Sequence, residues 1–561
     1  MRGCIGTGVV AVAVLIAAGG EAGAQTGLWP LGGRNIRNTR HQRGEDTIGV
    51  ANAANLQVRW AVATDGDISA TPAVDESSVY VPDWAGKLYA FNRDTGALRW
   101  MRTIASVTGV PPSACAPGLS PGTNLARATP ALAGDLLILG DQGGRCSGGA
   151  KVFAIDKRTG KVNWVTQVEP HFAAIVTQPA TVDPRDPRVA YVGVASMEEA
   201  LAGFVPGYQC CTFRGSVVAL DTRTGRILWK TYTVPNIPGY SGNGVWGSMG
   251  AIDRARRLLY VATGNNYSVP ADAATCVKNA TTAAAKHACL APDNYFDSVL
   301  AIDLRTGRVR WASFAMPYDA WNLACLPGFA NAAACPETAG PDYDFAQGPS
   351  LFTIHQGRRL RAVVGAGQKS GVYWAFDRDT GARIWSTQVG PGGTLGGLQW
   401  GSAVDGRRIY TQINNNAFGP PWTLQGHGPE AGTSVQSFTG FFSALDAATG
   451  EILWQTRPAE NGVPFMGGAM GPVTSANGVV YACSFGEATL NPDFTVTGHT
   501  EGAMYAMEAS SGVVLWRFPS GDLCAAGAAF SRGMLFWGTG YAQLGTPNLD
   551  GGGKLYAFGL P

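Results

Sequence analysis

One phrase recurs seven times along the chain and constrains its fold more than any other feature. Each copy is a short apolar strand, an Asp-x-x-Thr-Gly turn or a close variant, and a second apolar strand that ends in tryptophan. The closing residues are Trp100, Trp164, Trp229, Trp311, Trp385, Trp454 and Trp516. Asp and Thr side chains bond the amides of such turns, and Gly takes a positive φ without steric cost. The phrase therefore predicts a β-hairpin repeated seven times.

An eighth copy is divided between the two ends of the chain. Val58-Arg-Trp60 has the outer half of the phrase, and Lys554-Leu-Tyr-Ala-Phe558 has the inner half. Repeats of this length form propeller blades, and joining the two halves closes the ring and leaves no free sheet edge. We predict an all-β fold, an eight-bladed β-propeller with Trp-ended repeats whose ring is closed by the N- and C-terminal strands. Each tryptophan is expected to pack between adjacent blades.

The charge balance argues against one class of partner. The 561 residues contain 42 Lys+Arg and 40 Asp+Glu, and charged residues make up only 15% of the chain. Binding to nucleic acid depends on neutralising phosphates with clustered basic residues. We therefore expect no nucleic-acid partner.

The first 24 residues have the pattern of a secretory signal. Arg2 precedes an apolar run over residues 9–18, and Ala22-Gly23-Ala24 offers small residues for cleavage. The apolar run is short for a membrane span. We predict a signal peptide over 1–24, a single propeller domain over 25–561, no stable membrane anchor and a periplasmic or secreted location.

Cysteine usage agrees with export. Ten cysteines remain after residue 24, and an even number in an exported chain favours disulfides. Pairing of neighbours would join Cys115–Cys146, Cys210–Cys211, Cys276–Cys289, Cys325–Cys335 and Cys483–Cys524, although the sequence leaves this connectivity open. No Cys-x-x-Cys-His motif for covalent haem occurs.

The Trp-ended repeat and the adjacent Cys210-Cys211 resemble the pyrroloquinoline quinone (PQQ)-dependent alcohol dehydrogenases, the eight-bladed quinoproteins. The segments CCTFRGSVVALD, WGSMGAID and ATGNNYSVP look most like those of polyvinyl alcohol dehydrogenases within that group. The repeat alone is weak support for an enzyme, because non-enzymatic propellers of outer-membrane assembly share it. The residues that match the family's site discriminate better.

The resemblance implies a metal site next to PQQ. Glu198, at the end of Val194-Ala-Ser-Met-Glu198, matches the family's carboxylate ligand, with Glu199 as an adjacent alternative. Asn265 matches the amide ligand, with Asn266 as the adjacent alternative. Oxygen donors of this kind suit Ca²⁺ or a similarly hard ion. Asp344 matches the extra ligand of lanthanide-using relatives, so the choice between Ca²⁺ and a lanthanide stays open.

The resemblance also implies the cofactor contacts. Trp246 matches the floor on which the planar quinone stacks, and a Cys210–Cys211 disulfide would form the roof, although here the pair follows the metal-site glutamate. Arg127 matches the residue that grips a PQQ carboxylate, as a guanidinium can do with two parallel hydrogen bonds. The remaining contacts implied by the resemblance are Thr177, Lys369 and Gln399, the last in place of a family Asn.

Two aspartates compete for the catalytic base. Pro341-Asp-Tyr-Asp344 resembles the family's Trp-Asp-Tyr-Asp segment, which makes Asp342 the base and a further metal ligand. Tyr318-Asp-Ala-Trp321-Asn322 resembles part of the same motif, which makes Asp319 the alternative. Lys369 would act with the base by stabilising negative charge on the quinone oxygens.

These residues together predict an exported quinoprotein that oxidises alcohols by hydride transfer to PQQ. Secondary hydroxyls, including those of polyvinyl alcohol or its oligomers, are the expected substrates, and a separate cytochrome c or a similar acceptor is expected to take the electrons. The alternatives are a PQQ dehydrogenase for another alcohol, polyol or aldose, and a non-catalytic propeller scaffold of envelope assembly. Long loops, among them residues 416–438 and 486–501, are expected to shape substrate access.

Overall fold

The computed structural model describes the chain over 27–115, 122–415, 420–435, 440–458, 468–486, 501–541 and 553–561, and the backbone of 489–490 and 496–497. The predicted signal peptide lies outside the described residues, as do parts of the loops 416–438 and 486–501. Within the described part, no helix is long and apolar enough to cross a membrane.

The repeated phrase forms a hairpin because its turn satisfies its own amides. In one copy, Asp156 Oδ1 accepts hydrogen bonds from the backbone amides of Arg158 and Thr159 and from the Thr159 hydroxyl. Gly160 follows with a φ of 69°, a conformation that costs glycine little. The same Asp-to-Thr contacts recur at Asp221, Asp303, Asp377 and Asp446. The turn chemistry therefore specifies where each pair of outer strands reverses.

The described strands form eight antiparallel four-stranded sheets, which are the blades of a propeller. Blade 1 consists of Ala73–Val74, Ser78–Pro82, Lys87–Asn92 and Leu98–Thr103. Blade 2 consists of Ala131–Ala133, Leu136–Gly140, Ala150–Asp156 and Val162–Glu169. Blade 3 consists of Thr181–Asp183, Asp186–Ser196, Ser216–Asp221 and Ile227–Tyr232, with Ala174–Ile175 added to its longest strand. Blade 4 consists of Ala251–Asp253, Leu258–Ala262, Ser298–Asp303 and Val309–Phe314.

The second half of the ring repeats this order and then closes on the start of the chain. Blade 5 consists of Ser350–Gln356, Arg359–Gly367, Val372–Asp377 and Arg383–Gln388. Blade 6 consists of Ala403–Val404, Arg408–Ile413, Phe441–Asp446 and Ile452–Thr456. Blade 7 consists of Thr474–Ala476, Val479–Cys483, Ala503–Glu508 and Val514–Pro519, with His41–Gln42 added in parallel. Blade 8 consists of Ala529–Ser531, Met534–Gly538, Lys554–Gly559 and the N-terminal strand Gln57–Ala63. The predicted eight-bladed ring and its closure are confirmed.

Short elements in the connections complete the described secondary structure. The α-helices are Ile104–Thr108, Glu198–Phe204, Ala271–Asn279 and Ala283–Ala288. The 3-10 helices are Ala53–Asn55, Pro112–Ala114, Gly143–Cys146, Leu323–Cys325 and Ala332–Ala334. Two-stranded pairs are Ser241–Gly242 with Asn266–Ser268, Trp422–Thr423 with Ser434–Val435, and Thr489–Leu490 with Val496–Thr497.

The repeated tryptophans join each blade to the next. The Trp100 indole covers the turn of blade 2 so closely that a Cβ on Gly160 would lie 2.9 Å from the ring. Trp100 Nε1 donates to the carbonyl of Lys157 in the same turn. The same stacking on the following turn's glycine recurs for Trp60, Trp164, Trp229, Trp311, Trp385 and Trp454. The glycine is therefore needed twice, for its positive φ and for the close approach of the ring.

Five disulfides join neighbouring cysteines in the chain. They are Cys115–Cys146, Cys210–Cys211, Cys276–Cys289, Cys325–Cys335 and Cys483–Cys524. The structure thus forms every pair that neighbour pairing proposes. Four of them tie down connections between strands, and the fifth joins adjacent residues, which are linked by a cis peptide bond.

Candidate active site

Blade 3 delivers two adjacent glutamates to different surroundings. Its strand Asp186–Ser196 leads into the helix Glu198–Phe204. The Glu198 carboxylate is fully buried and accepts hydrogen bonds from the Tyr208 hydroxyl and from the amides of Thr212 and Phe213, at 2.7 to 3.0 Å. Glu198 therefore holds the loop that follows its own helix.

Glu199 is half-buried and lies near the charged groups of the predicted site instead. The charges that act on it are those of Lys369, Asp344 and Asp319, and burial raises the pKa of Glu199 to about 7. The structure thus brings Glu199 together with the other predicted site residues and leaves Glu198 out. This arrangement favours Glu199, the alternative left open by the sequence, as the metal-site glutamate.

Asp344 links three parts of the predicted site. Its Oδ1 accepts the backbone amide of Asn265 at 2.7 Å, and its Oδ2 accepts Trp246 Nε1 at 2.9 Å. Lys369 Nζ lies 3.5 Å from Asp344 Oδ2 and 5.2 Å from the centre of the Trp246 ring. Four residues that are far apart in the sequence thus meet at one point.

Asn265 is the most informative member of this group. Its Nδ2 donates to the carbonyls of Asn266 and Trp321. Its Oδ1 is buried and has no hydrogen-bond partner within the described structure. A buried acceptor without a donor costs free energy, so such an atom points to a ligand that the protein chain does not supply. Beside a carboxylate, the natural ligand for an amide oxygen is a cation.

Asp342 and Asp319 occupy distinct positions. Asp342 Oδ1 pairs with Lys369 Nζ at 2.9 Å, and the residue has a φ of 61°, which is unusual for a side chain with a Cβ. Asp319 accepts the backbone amides of Asp342 and Tyr343 at 3.2 and 2.7 Å. Asp342 therefore faces the central lysine, whereas Asp319 holds the turn on which Asp342 stands.

We call Glu199, Asp319, Asp342, Asp344 and Lys369 the central cluster. Burial raises the pKa of Asp342 well above its usual range, Lys369 opposes this rise, and the neighbouring carboxylates add to it. Burial would lower the pKa of Lys369, but the carboxylates of Asp342, Asp344 and Glu199 raise it above its usual range. Three carboxyl groups thus share one ammonium group, with Asp319 close behind them, so an additional cation would relieve their repulsion.

The donor set for such a cation is mixed. Within the described residues, no three His, Cys, Asp or Glu side chains are grouped so that they alone could hold a metal ion. Asn265 Oδ1 is available as an amide ligand beside the carboxylates. Asn265, Asp344 and Glu199 therefore form the candidate set, and their oxygen atoms suit a hard ion such as Ca²⁺.

A cavity lined by several blades adjoins Trp246. Its lining includes Arg127, Thr177, Gly247, Trp400 and Tyr541. Arg127 donates to the Tyr541 hydroxyl at 3.1 Å and lies 4.9 Å from the centre of the Trp400 ring. The buried Thr177 Oγ1 and Trp400 Nε1 have no hydrogen-bond partner within the described structure. A cationic group and two free donors make this cavity suitable for a carboxylated aromatic molecule.

Trp246 and Trp400 define the aromatic part of this region. Their rings meet edge to face with centres 5.4 Å apart. Gln399, which precedes Trp400, donates from its side chain to the carbonyl of Gly396 at 3.2 Å, so it fixes the local loop. The vicinal disulfide contacts Asn322, whose Nδ2 lies 3.6 Å from Cys210 Sγ and whose neighbour Trp321 accepts a hydrogen bond from Asn265.

Sequence reasoning missed one residue of this region. The buried Asp297 interacts with Asp319, and burial with the nearby carboxylates raises its pKa well above the usual range. Its sequence context, Asn294-Tyr-Phe-Asp297, is the entry into a blade strand and gives no sign of this contact. Only the fold brings it behind the turn of Asp342.

An eight-bladed ring with carboxylates, an amide and a lysine gathered beside a central tryptophan defines a propeller of the quinoprotein class. The chain belongs to the PQQ_2 family, whose model is described as "Outer membrane protein assembly factor BamB" and matches residues 44–313 and 368–517.

Curated relatives are alcohol dehydrogenases. Polyvinylalcohol dehydrogenase of Sphingopyxis sp. (strain 113P3) is 29% identical over 509 residues, with 80% of this chain and 71% of the relative covered. Polyvinylalcohol dehydrogenase of Pseudomonas sp. is 27% identical over 554 residues, with 93% and 74% covered. The quinohemoprotein alcohol dehydrogenase ADH IIB of Pseudomonas putida is 23% identical, with 68% and 49% covered. The predicted resemblance to PQQ-dependent alcohol dehydrogenases, and to polyvinyl alcohol dehydrogenases among them, is confirmed.

Solved structures share the fold. The quinohemoprotein alcohol dehydrogenase of Comamonas testosteroni superposes with a TM-score of 0.67 at 17% identity, covering 96% of this chain and 81% of its own. A europium-containing methanol dehydrogenase superposes with a TM-score of 0.62 at 16% identity, covering 96% and 99%. At these identities the likeness concerns the fold alone.

Proposed function

We propose that the protein is a PQQ- and metal-dependent alcohol dehydrogenase whose chemistry takes place at the central cluster. The observation that carries the proposal is the buried Asn265 Oδ1, which has no donor within the described structure and stands beside Asp344. A propeller that served only as a scaffold would have no use for this atom, for three carboxyl groups around one lysine, or for free donors in a central cavity.

The residues present fit both PQQ and a metal ion. Trp246 offers a half-buried indole on which a planar quinone can stack, and Arg127 with Thr177 can hold its carboxylates. Asn265, Glu199 and Asp344 can hold the cation, which is Ca²⁺ in the first instance. When bound, PQQ would supply the redox chemistry as the acceptor of a hydride, and the metal would supply a Lewis acid.

The protein's own groups then have separate tasks. Asp342 accepts the proton of the alcohol hydroxyl, because it is the carboxylate that faces Lys369 rather than the metal-site amide. Lys369 stabilises negative charge in the centre and keeps Asp342 oriented through their 2.9 Å ion pair. Asp319 orients the base by accepting the amides of Asp342 and Tyr343. A bound cation would also favour the ionised form of these carboxyl groups at neutral pH.

The finer assignments rest on the relatives and on the sequence. Two relatives are polyvinylalcohol dehydrogenases, which supports secondary hydroxyls of such a polymer or its oligomers as the substrate class. The chain has no Cys-x-x-Cys-His motif, so a separate cytochrome c or similar acceptor would take the electrons. A periplasmic or secreted location rests on the pattern of residues 1–24.

Reconstitution tests the proposal directly. Purified protein is mixed with PQQ and either Ca²⁺ or La³⁺, and dye reduction is followed with secondary alcohols, polyols and an aldose. We expect a bound-quinone absorbance and alcohol-driven dye reduction that the chelator-treated sample lacks. Faster turnover with La³⁺ would assign Asp344 the lanthanide role. Protein that binds neither PQQ nor metal, while remaining folded, would favour the scaffold.

A further inference from the structure

Exposed aromatic residues are concentrated in one region of the described surface. The large aromatic side chains with the greatest exposure are Phe204 at 57%, Phe172 at 40% and Tyr232 at 39%. All three belong to blade 3 or to the connections that enter and leave it. Clustered apolar exposure of this kind marks a binding surface more often than scattered single residues do.

Two of these residues, Phe204 and Phe172, each contact a second aromatic ring. Phe204 meets Phe329 edge to face with ring centres 5.2 Å apart, and Phe172 lies 6.4 Å from Tyr208. We call Phe172, Phe204, Tyr208 and Phe329 the aromatic rim. Phe204 and Phe172 are exposed, whereas Tyr208 and Phe329 are half-buried and support them.

The aromatic rim is continuous with the central cluster. The helix Glu198–Phe204 carries Glu199 at its first turn and Phe204 at its last residue, about 7.5 Å apart along the axis. The following loop carries Tyr208 and the vicinal disulfide, which contacts Asn322. The residue before it, Trp321, accepts Asn265 Nδ2 through its carbonyl. The aromatic rim thus begins at the end of the same short helix that carries Glu199 of the proposed metal site.

The backbone beneath the aromatic rim is held in place. Asn331 Nδ2 donates to the carbonyls of Ala202 and Tyr208, both at 3.0 Å. The Cys325–Cys335 disulfide closes the loop that carries Phe329. Rings on a fixed backbone bind a ligand with little additional loss of conformational entropy.

We propose that the aromatic rim is a subsite for the part of a polymeric alcohol that flanks the reacting hydroxyl. The inference rests on the proposed function, and it adds the location of the rest of the substrate. A neutral chain that alternates methylene and hydroxyl-bearing carbons offers apolar edges to aromatic faces. Beside the rings, the exposed Thr212 hydroxyl is paired with His171 Nε2 at 3.1 Å and donates to Glu198, and its oxygen can accept one further hydrogen bond from a substrate hydroxyl. A chain too long to enter the ring has to leave it across such a surface.

The test uses reconstituted holoenzyme and substrates of increasing length. The variants are the double change Phe204→Ser with Phe329→Ser, and the single change Phe172→Ser. The control is Leu360→Ser, which removes a 67% exposed side chain from blade 5. We expect kcat/KM for long polyvinyl alcohol oligomers to fall about tenfold in the double variant, mainly through KM. Turnover of pentane-2,4-diol should be unchanged, and the control should match the wild type on both substrates.

Direct binding of the oligomer, measured by calorimetry, separates this inference from the proposed function. If the wild type binds the oligomer through the aromatic rim but oxidises no alcohol, the proposed function fails and the subsite stands. An equal loss of kcat/KM on the diol and the oligomer would overturn the subsite, as would unchanged oligomer binding in the variants. A raised KM for a protein electron acceptor, with oligomer kinetics intact, would make the surface an acceptor docking site instead.

Discussion

Aspartates in the outer turns and aspartates at the centre of the ring meet opposite electrostatic conditions. In the turn of blade 2, the Thr159 hydroxyl and nearby amides hold the pKa of Asp156 below its usual range. In blade 4, the Arg310 guanidinium and the Thr306 hydroxyl do the same for the pKa of Asp303. At the centre, burial raises the pKa of Asp342 well above its usual range.

The difference separates residues that build the ring from residues that need a ligand. The hydrogen bonds that the turn aspartates accept stabilise local structure. These residues therefore need no bound ligand. The central carboxylates repel one another and leave Asn265 Oδ1 without a donor. Perturbed carboxyl groups next to a cavity are typical of functional sites.

The largest expected effect is on turnover. Asp342→Asn should lower dye-linked turnover of the reconstituted enzyme by about 10²–10⁴-fold, because the amide cannot accept the alcohol proton. The thermal midpoint should change little, since Lys369 is the one side-chain partner of Asp342 within the described residues. Asp303→Asn is the matched control and should keep full turnover. An active Asp342→Asn variant would make Asp319 the base.

Removing one of the repeated tryptophan side chains should have the opposite effect, because it should lower stability and leave turnover nearly unchanged. Trp454 is almost fully buried against Gly512 of the next blade, and Trp454→Ala should lower the free energy of unfolding by about 3–5 kcal/mol. Cofactor affinity and turnover of the folded fraction should stay near wild-type values. Denaturant unfolding followed by tryptophan fluorescence measures the loss. A Trp454→Ala variant of normal stability that binds no PQQ would contradict the separation between residues that stabilise the blades and residues that bind ligands.

Two disulfides also allow an effect on stability to be distinguished from an effect on cofactor binding. Cys483–Cys524 spans 41 residues, so replacing both cysteines with alanine should cost about 2–4 kcal/mol of unfolding free energy. Cys210–Cys211 closes no loop beyond its own two residues, so its removal should change stability little and should weaken PQQ retention instead. Thermal unfolding and PQQ titration of the two double variants measure these effects. A larger stability loss at Cys210–Cys211 would make that bond a structural staple.

Variants of the adjacent residues Glu198 and Glu199 compare a structural carboxylate with a carboxylate proposed to bind the metal. Glu199→Gln should raise the Ca²⁺ concentration for half-maximal reconstitution about tenfold or more, because a charged oxygen ligand is lost. Glu198→Gln should instead lower stability by about 1–3 kcal/mol, since its carboxylate accepts the amides of Thr212 and Phe213. Ca²⁺ titration and thermal unfolding are measured for both variants. The opposite pattern would return the ligand role to Glu198.

The smallest expected effect is on acid stability. The pKa values of Asp156, Asp221, Asp303 and Asp377 are all held below their usual range in the folded protein. Their contribution to stability is therefore complete above pH about 4 and is lost as the pH falls below that value. The thermal midpoint should drop over this range, and less steeply in Asp221→Asn. An equal slope in that variant would show that the turns do not carry the effect.

The repeat made the fold predictable from the sequence alone. Each turn encodes its own reversal in Asp, Thr and Gly, and each tryptophan marks the blade that follows, so blade number and closure could be deduced without tertiary information. The split phrase at Trp60 and Phe558 predicted the ring closure that Gln57–Ala63 and Lys554–Gly559 make.

The site was less predictable because its residues have no common local signal. The sequence could not decide between Glu198 and Glu199, since adjacent residues at the start of a helix point in different directions and only packing shows which one turns inward. Asp297 was missed because its contact with Asp319 depends on two connections that meet behind the ring centre. Resemblance located the segments, and the contacts in the fold favour one register within them.

The closure of blade 8 also has a consequence for how the chain folds during synthesis. The Thr64 hydroxyl donates to the carbonyl of Gly553, 489 residues further along the chain. During synthesis the early strand Gln57–Ala63 has to wait, with its hydrogen-bonding edge bare, until the partner strand Lys554–Gly559 has been made. Such distant pairing makes assembly slow and exposes the nascent molecule to wrong partners. A circular permutant opened between blades 4 and 5 would keep every contact but shift that waiting period to another blade.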